Sequence, residues 1–442
     1  MFPNSQDAIP LLPRPKHETY QKLARKLVTA CKSDDPQAIG KWATQWLETL
    51  AQKHKLDDPR LPFWLARKTR QVTEYATQQL KAGKHCRLAH AQLVIAQSHD
   101  FENWPKFLKH LRGMADKSSR IAGFESAVDA IIAGDTKKLK RLIRQDPKLV
   151  HIRSTRTSNA TLLHYVSANG VEGYRQKTPP NIVEIAEILL NAGAEVDAEA
   201  DVYGGGATPL GLTATSVHPF RAGVQNPLMQ VLLDHGAQID RPDAAGNSQV
   251  TVLGCLANGR REAAIYLAER GAKLNFESAA GVGRLDLVNS YFTPNGKPRK
   301  GTTKKQMVKA FLAACLWGQD EVVEFFLGKR IDPAVHSGDG QTSLHMAGIG
   351  GSLSTIKLLL KHKAPLELKN EYGGTVLGQT LWSAGHGGDP KLYTEIIETL
   401  IAAGAKLRDR HVPVNEEIDE LLRRYGSEPE PSWYWFGEGP SV

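Results

Sequence analysis

The stretch LLNAGAEVD at 189–197 returns as LLDHGAQID at 232–240 and as YLAERGAKLN at 266–275. Looser copies are FLGKRIDPA at 326–334, LLKHKAPLEL at 359–368 and LIAAGAKL at 400–407. Each reads as the end of an apolar helix, a tight turn, then a return to an apolar residue. A glycine in the turn supplies the left-handed residue that stops a helix. With the turn residue placed at 193, 236, 271, 329, 363 and 404, the steps are 43, 35, 58, 34 and 41 residues. Two of these steps lie near the period of about 33 residues seen in stacked helix-pair repeats, and the others exceed it by insertions. Units of this kind bury their apolar faces only against one another.

A second phrase stands ahead of these helices: Thr161-Leu162-Leu163-His164, Thr208-Pro209-Leu210-Gly211, Thr342-Ser343-Leu344-His345 and Thr375-Val376-Leu377-Gly378. The threonine is placed to cap a helix and the leucine to enter a shared core. The histidine can bond its ring to neighbouring loop backbone. Two more units are legible from their helices, FESAVDAIIAGDTKKLKRLIRQDPKLV within 122–150 and FESAAGVGRLDLVNSYF at 276–292. The first has the polar outer face that an end unit needs. After an insertion at 293–305, a pair broken at Gly318 covers 307–327, for a total of about eight units. HVPVNEEIDELLRRY at 411–425 reads as an amphipathic helix closing the far end.

The stretches AAGVGRLDLV, FLAACLWGQDEVVEFFL and NEYGGTVLGQTLWSAGHGGDP resemble a bacterial branch of the ankyrin-repeat family, and the resemblance extends over residues 122–425. It implies a solenoid of about eight helix-pair units with short hairpin turns. It also implies a concave surface of hairpin tips and first helices that holds a macromolecule, and it supplies no reaction. The sequence departs from the family pattern at Gly211 and Gly378, where the histidine is missing, and in its long insertions.

Residues 17–112 are helical in a different way. Tyr20, Leu23, Ala24, Leu27, Val28 and Cys31 fall on one helical face, and Ile39, Trp42, Ala43, Trp46, Leu47 and Leu50 on another. RLAHAQLVIAQSHDFENWPKFLKHL, 87–111, resembles a leader found ahead of ankyrin arrays in bacterial proteins. The expected fold is therefore all-α, an ankyrin-repeat solenoid preceded by a small helical bundle. The expected boundaries are a flexible Pro-rich end at 1–16, the bundle at 17–113, a linker at 114–121, the array at 122–410, a capping helix at 411–425 and an aromatic tail from 426.

The net charge of +9 divides unevenly. Residues 1–120 hold 21 Lys/Arg against 11 Asp/Glu, and the remainder holds 35 against 36. The basic residues of the bundle are spread over every polar helix face, without a helix-turn-helix signature. The four cysteines, Cys31, Cys86, Cys255 and Cys315, lie far apart with no zinc spacing and are expected to be reduced thiols. No secretory signal opens the sequence, and no run of eighteen apolar residues occurs, so a cytoplasmic protein is expected.

No nucleophile elbow, zinc-protease motif, dinucleotide turn or P-loop is present, so neither catalysis nor a cofactor or metal is expected. Partner contacts are expected at the hairpin turns, from Tyr203, Arg241, Asp243, Asp339, Asn370 and Tyr372, by their position in the repeat. The tail adds Trp433, Tyr434, Trp435 and Phe436, four consecutive aromatic rings that are costly to leave in water. Tyr174, Arg175, His218, Phe220 and Arg221 lie in inter-helix insertions and are residue types common at binding hot spots. Lys297, Arg299, Lys300, Lys304 and Lys305 make 293–305 a basic loop, read as flexible and solvated, and Trp382 with His386 is read as packing against the cap. The expected partner is a protein of unknown identity, with nucleic acid bound through the basic bundle as the alternative; no membrane or small-molecule substrate is expected.

Overall fold

The computed structural model describes residues 2–13, 15–55, 59, 61–82, 86–241 and 251–430, and divides between Gln249 and Val250 into two compact units. No helix among the described residues is long and apolar enough to cross a membrane. In the first unit α1 (His17–Cys31), α2 (Ala38–His54), α3 (Leu61–Ala82), α4 (Leu88–Ser98) and α5 (Trp104–Ala115) form a bundle. Tyr20, Ala24 and Leu27 pack with Trp42, Trp46, Leu47 and Leu50 in its core. A 3.6-residue period puts each set on one stripe, and burying that stripe is what holds short helices in water. Asn103 caps α5 by accepting the Lys106 N–H at 3.0 Å.

Residues 1–16, expected to be flexible, are held against the bundle where they are described. The Ile9 N–H donates to the Ser98 carbonyl at 2.8 Å, and the Ile9 carbonyl lies 2.7 Å from His99 Nδ1. Buried Lys68 donates to the Asp7 carbonyl at 2.8 Å and pairs with its carboxylate at 2.7 Å. One 3-10 turn, Ser5–Asp7, is capped by Asn4, and the prolines around it leave fewer N–H groups to satisfy.

The expectation of four reduced thiols is corrected. Cys31, at the end of α1, and Cys86, ahead of α4, form a disulfide with Cα atoms 5.8 Å apart. Their separation of 55 residues carried no local signal; the pairing follows from the packing of α1 on α4. Cys255 and Cys315 are free and buried.

The first unit continues with the helix pairs α6 (Arg120–Ala133) and α7 (Thr136–Gln145), then α8 (Leu162–Val166) and α9 (Ile182–Asn191). Its third pair is α10 (Pro209–Thr215) and α12 (Gln225–Asp234), with the short α11 (Val217–Arg221) between them. The second unit holds α13 (Thr251–Ala257) with α14 (Arg261–Glu269), α15 (Phe276–Gly281) with α16 (Leu285–Ser290), and α17 (Lys304–Leu316) with α18 (Asp320–Gly328). It ends with α19 (Ser343–Ile349) and α20 (Leu353–Lys361), α21 (Val376–Gly385) and α22 (Pro390–Ala402), and a capping α23 (Glu416–Arg424). The described residues thus hold eight helix pairs, three in the first unit and five in the second.

The repeat chemistry is local and specific. His164 Nδ1 accepts the Thr161 N–H at 3.0 Å, while its Nε2 lies 3.2 Å from the Ala207 carbonyl of the following hairpin. His345 does the same, at 3.2 Å to Thr342 N and 3.1 Å to the Gly374 carbonyl. Each ring therefore ties its own helix cap to the next repeat. Where Gly211 and Gly378 replace the histidine, Thr208 and Thr375 still cap, at 3.2 and 3.3 Å. Gly193, Gly236, Gly271 and Gly404 take φ of 92°, 90°, 87° and 99°. In the looser copies Lys363 (57°) and Arg330 (60°) adopt that conformation. The turn residue of the 326–334 copy is therefore Arg330 and not the residue at 329, which makes the adjoining steps 59 and 33.

The insertion 293–305 begins as a closed hairpin and not a loose loop, and its last two residues, Lys304 and Lys305, already belong to α17. Thr293 N–H donates to the Lys297 carbonyl at 2.8 Å, Phe292 bridges to Pro298, and Arg299 Nε donates to the Ser290 carbonyl at 2.8 Å. At the far end Arg410–His411 (β1) pairs in parallel with Glu428–Pro429 (β2) beside α23.

Candidate functional site

The first helices α13, α15, α17 and α19 of the second unit, with the hairpin at 336–338, enclose a groove of about 680 Å³. Its floor is apolar: Leu253, Leu256, Leu312, Leu316, Trp317 and Met346. Its rim carries Lys304, Lys305 and Lys309, with Glu277 3.9 Å from Lys309 Nζ. Lys304 and Lys305 open α17, whose cap is Thr303, so two cations sit at the positive end of a helix. That placement opposes the helix dipole at a cost of about 0.3–1 kcal/mol per charge. Local stability therefore does not account for it.

The hairpin residues expected to touch a partner divide into two kinds. Tyr372 is 81% exposed and Tyr203 is 65% exposed, the latter with its hydroxyl 2.7 Å from Asn169 Oδ1 and also meeting Gln6. Arg241 is engaged within its own unit, donating to the Asp197 carbonyl at 2.6 Å and pairing with Glu199 at 2.9 Å. Asn370 is buried and organises its turn, accepting from Tyr372 N at 3.1 Å and Gly374 N at 2.9 Å. The Asp339 side chain bonds Ser337, and its carbonyl accepts from Glu371 N at 3.0 Å in the next hairpin. Asp243, Trp433, Tyr434, Trp435 and Phe436 lie outside the described residues. Tyr203 and Arg241 belong to the first unit; Asn370 and Tyr372 share one turn of the second, beside the hairpin of Asp339.

Two other readings change. Arg175 is buried, with Nη2 2.5 Å from Glu125 Oε2 and its guanidinium over the Tyr174 ring, so it serves the interior of the first unit. Trp382 is not packed against the cap: it is 58% exposed and stacks on His386 with ring centres 4.0 Å apart.

Sequence reasoning missed the buried ion cluster around Arg156. This side chain, 1% exposed, pairs with Glu172 and lies 3.7 Å from Glu125. Its Nη1 donates to the His99 carbonyl at 3.2 Å, and the guanidinium covers the Phe101 ring at 5.0 Å. Burial alone would raise the Glu125 carboxyl, but Arg175 and Arg156 outweigh it and hold it down at about 2. His110, 2.7 Å from Thr155 Oγ1, adds a further link between bundle and repeats. Any signal lay in charged residues inside apolar helices, such as Glu125 in FESAVDAII.

Acid should loosen this junction. Burial depresses His99 and His110 to about 3 and His164 to about 4. The unfolded chain binds these protons near 6.5, so stability is lost as pH falls from about 6.5 through those values. Asp100, raised by burial to about 6, opposes this by taking up a proton in the folded state first. The net excess of about two protons predicts a loss on the order of 2–3 kcal/mol per pH unit between about pH 6 and 4. Thermal melts across that range check it; a melting temperature that stays flat or rises refutes it.

His411 lies 3.1 Å from Ser427 Oγ and 3.3 Å from Asp419 Oδ1. The order is reversed from a hydrolase triad, in which Nε2 faces the serine. Ser427 is completely buried, so the trio fastens the cap and offers a substrate no approach. Among the described residues no cluster of His, Cys, Asp and Glu is arranged to hold a metal ion.

Ankyrin repeats match residues 310–411, in three copies. No curated protein matches the chain. The chain therefore carries ankyrin repeats in its second unit, and the same threonine cap, histidine bridge and left-handed turn recur in the first.

Proposed function

We propose that this protein is a non-catalytic binding scaffold whose second unit holds an acidic, apolar segment of a protein partner in the groove of α13, α15, α17 and α19. Ankyrin repeats in general mediate protein–protein contact, which supports the reading. The observation that carries it is the apolar floor under a lysine rim, two of whose lysines stand against the local preference of their helix. Residues that break a local rule without local gain are where function is expected. The proposed setting is the cytoplasm; the Cys31–Cys86 bond sets a limit on that, because disulfides persist mainly in oxidising compartments.

Selection from a random peptide library on the intact chain tests the proposal. Enriched ligands should alternate apolar residues with Asp or Glu. Reversing the rim by Lys304→Glu, Lys305→Glu and Lys309→Glu should weaken them roughly ten- to a hundredfold, from up to about 1 kcal/mol per exposed charge. The double variant Lys304→Glu with Lys305→Glu should melt no lower than the parent, since acids suit a helix start. No enrichment, or binding indifferent to the reversal, rejects the groove. Salt-dependent retention of the intact chain on DNA would favour the nucleic-acid reading instead.

A further inference from the structure

Among the described residues of the second unit, the exposed large apolar side chains are Leu368, Tyr372, Trp382, Leu392, Val412 and Tyr425. All six lie in the last repeat and its cap. The described chain ends against the same place: Glu428 N–H donates to the Asp409 carbonyl at 2.9 Å and Glu430 N–H to the His411 carbonyl at 2.8 Å. Glu430 is therefore fixed one residue from Val412. A Cβ at Gly385 would stand 3.8 Å from Val414 Cγ1, and Trp382 is about one helical turn back along α21. Val412 thus adjoins the point where the described chain leaves, and Trp382 stands on the helix whose Gly385 faces Val414.

Three residues beyond Glu430 come Trp433, Tyr434, Trp435 and Phe436. At about 3.3–3.6 Å per extended residue they fall within roughly 10–21 Å of the exit. Charge agrees with length. Residues 426–442 contain Glu428, Glu430 and Glu438 and no Lys or Arg, whereas Arg408 and Arg410 stand exposed beside the exit with Asp409 between them.

We propose that the occupant of the exposed surface around Trp382 and Val412 is the Trp433–Phe436 segment of the same chain. The surface is distinct from the groove, so this stands or falls independently of the binding function. The test titrates a fluorescent peptide of residues 428–442 into the intact chain and into a chain ending at Glu430. The peptide should bind the shortened chain and bind the intact one at least tenfold more weakly. Trp382→Ala with Val412→Ser in the shortened chain should abolish binding, while Phe63→Ala, exposed on the bundle, should leave it unchanged. Binding to neither chain, equal binding to both, or indifference to Trp382 and Val412 overturns the proposal. An intact chain that dimerises, with dimers lost on shortening, overturns the assignment within one chain and gives the face to the tail of a second copy. Should the shortened chain fail to fold, Trp433→Ala with Trp435→Ala in the intact chain replaces it. Amides of 380–386 and 410–414 should then exchange faster; unchanged exchange refutes the contact.

Discussion

Replacing Arg156 by alanine should destabilise the first unit by about 3–5 kcal/mol, the usual result of removing one partner from a buried ion pair. The reason is the company it leaves. Glu172 would keep one cation, Arg175 at 3.6 Å, beside the Tyr165 hydroxyl that donates to it at 3.3 Å, and Glu125 would lose one of its two guanidinium neighbours. An unpaired buried carboxylate is far costlier than the pair was worth. Arg156 also carries the contacts to His99 and Phe101, so its loss should free the bundle from the first repeats. Arg156→Met combined with Glu172→Gln should recover much of the loss, because both buried charges then go together. Urea unfolding of the intact chain, followed by hydrogen exchange across residues 99–175, checks this. A single variant within about 0.5 kcal/mol of the parent, the level expected of an ordinary surface change, would remove the cluster from the account.

Gly350→Ala should cost the second unit about 3 kcal/mol or more, at the upper end for an overpacked interior. Its backbone is ordinary, with φ of −75°, so conformational freedom is not what glycine provides there. The constraint is space: a Cβ would stand 1.8 Å from the Leu316 carbonyl oxygen and 2.8 Å from its carbon. Backbone cannot turn aside as a side chain can, so α17 and α19 must separate. Leu316 and Met346 of the groove floor lie on those helices, and peptide affinity should fall with stability. Gly338→Ala, where a Cβ meets nothing within 4 Å, is the matched control and should change little. Thermal melts of both variants decide the matter; equal melting temperatures refute the close approach.

Much of the array was legible because its signals are short. A threonine three residues ahead of the N–H it caps, and a left-handed residue after six of the eight second helices, act within a dozen positions. The histidine's function was legible only in part: its bond to Thr161 or Thr342 is local, but its second bond, to Ala207 or Gly374, needs the next repeat in place. The groove was less legible still. The lysines of 293–305 drew notice as a loop, yet Lys304 and Lys305 begin a helix, and the floor beneath them comes from Leu253, Leu312 and Met346 on three different helices. Arg175 and Asn370 had the right chemistry for contact, and folding used it inside the molecule.

By itself the sequence determined an all-α chain of helix-pair repeats behind a helical bundle, with the threonine caps at 161, 208, 342 and 375 and the glycine turns at 193, 236, 271 and 404. Those features are decided by backbone geometry and one or two neighbouring side chains, so a linear reading finds them. Tertiary structure alone decided that Cys31 meets Cys86, that Arg156 lies between Glu172 and Glu125, that Trp382 faces outward, and that apolar residues from three helices share a groove. Each depends on which helix faces meet across tens of residues. That choice is made by the sum of many weak packing energies and not by any one residue's preference.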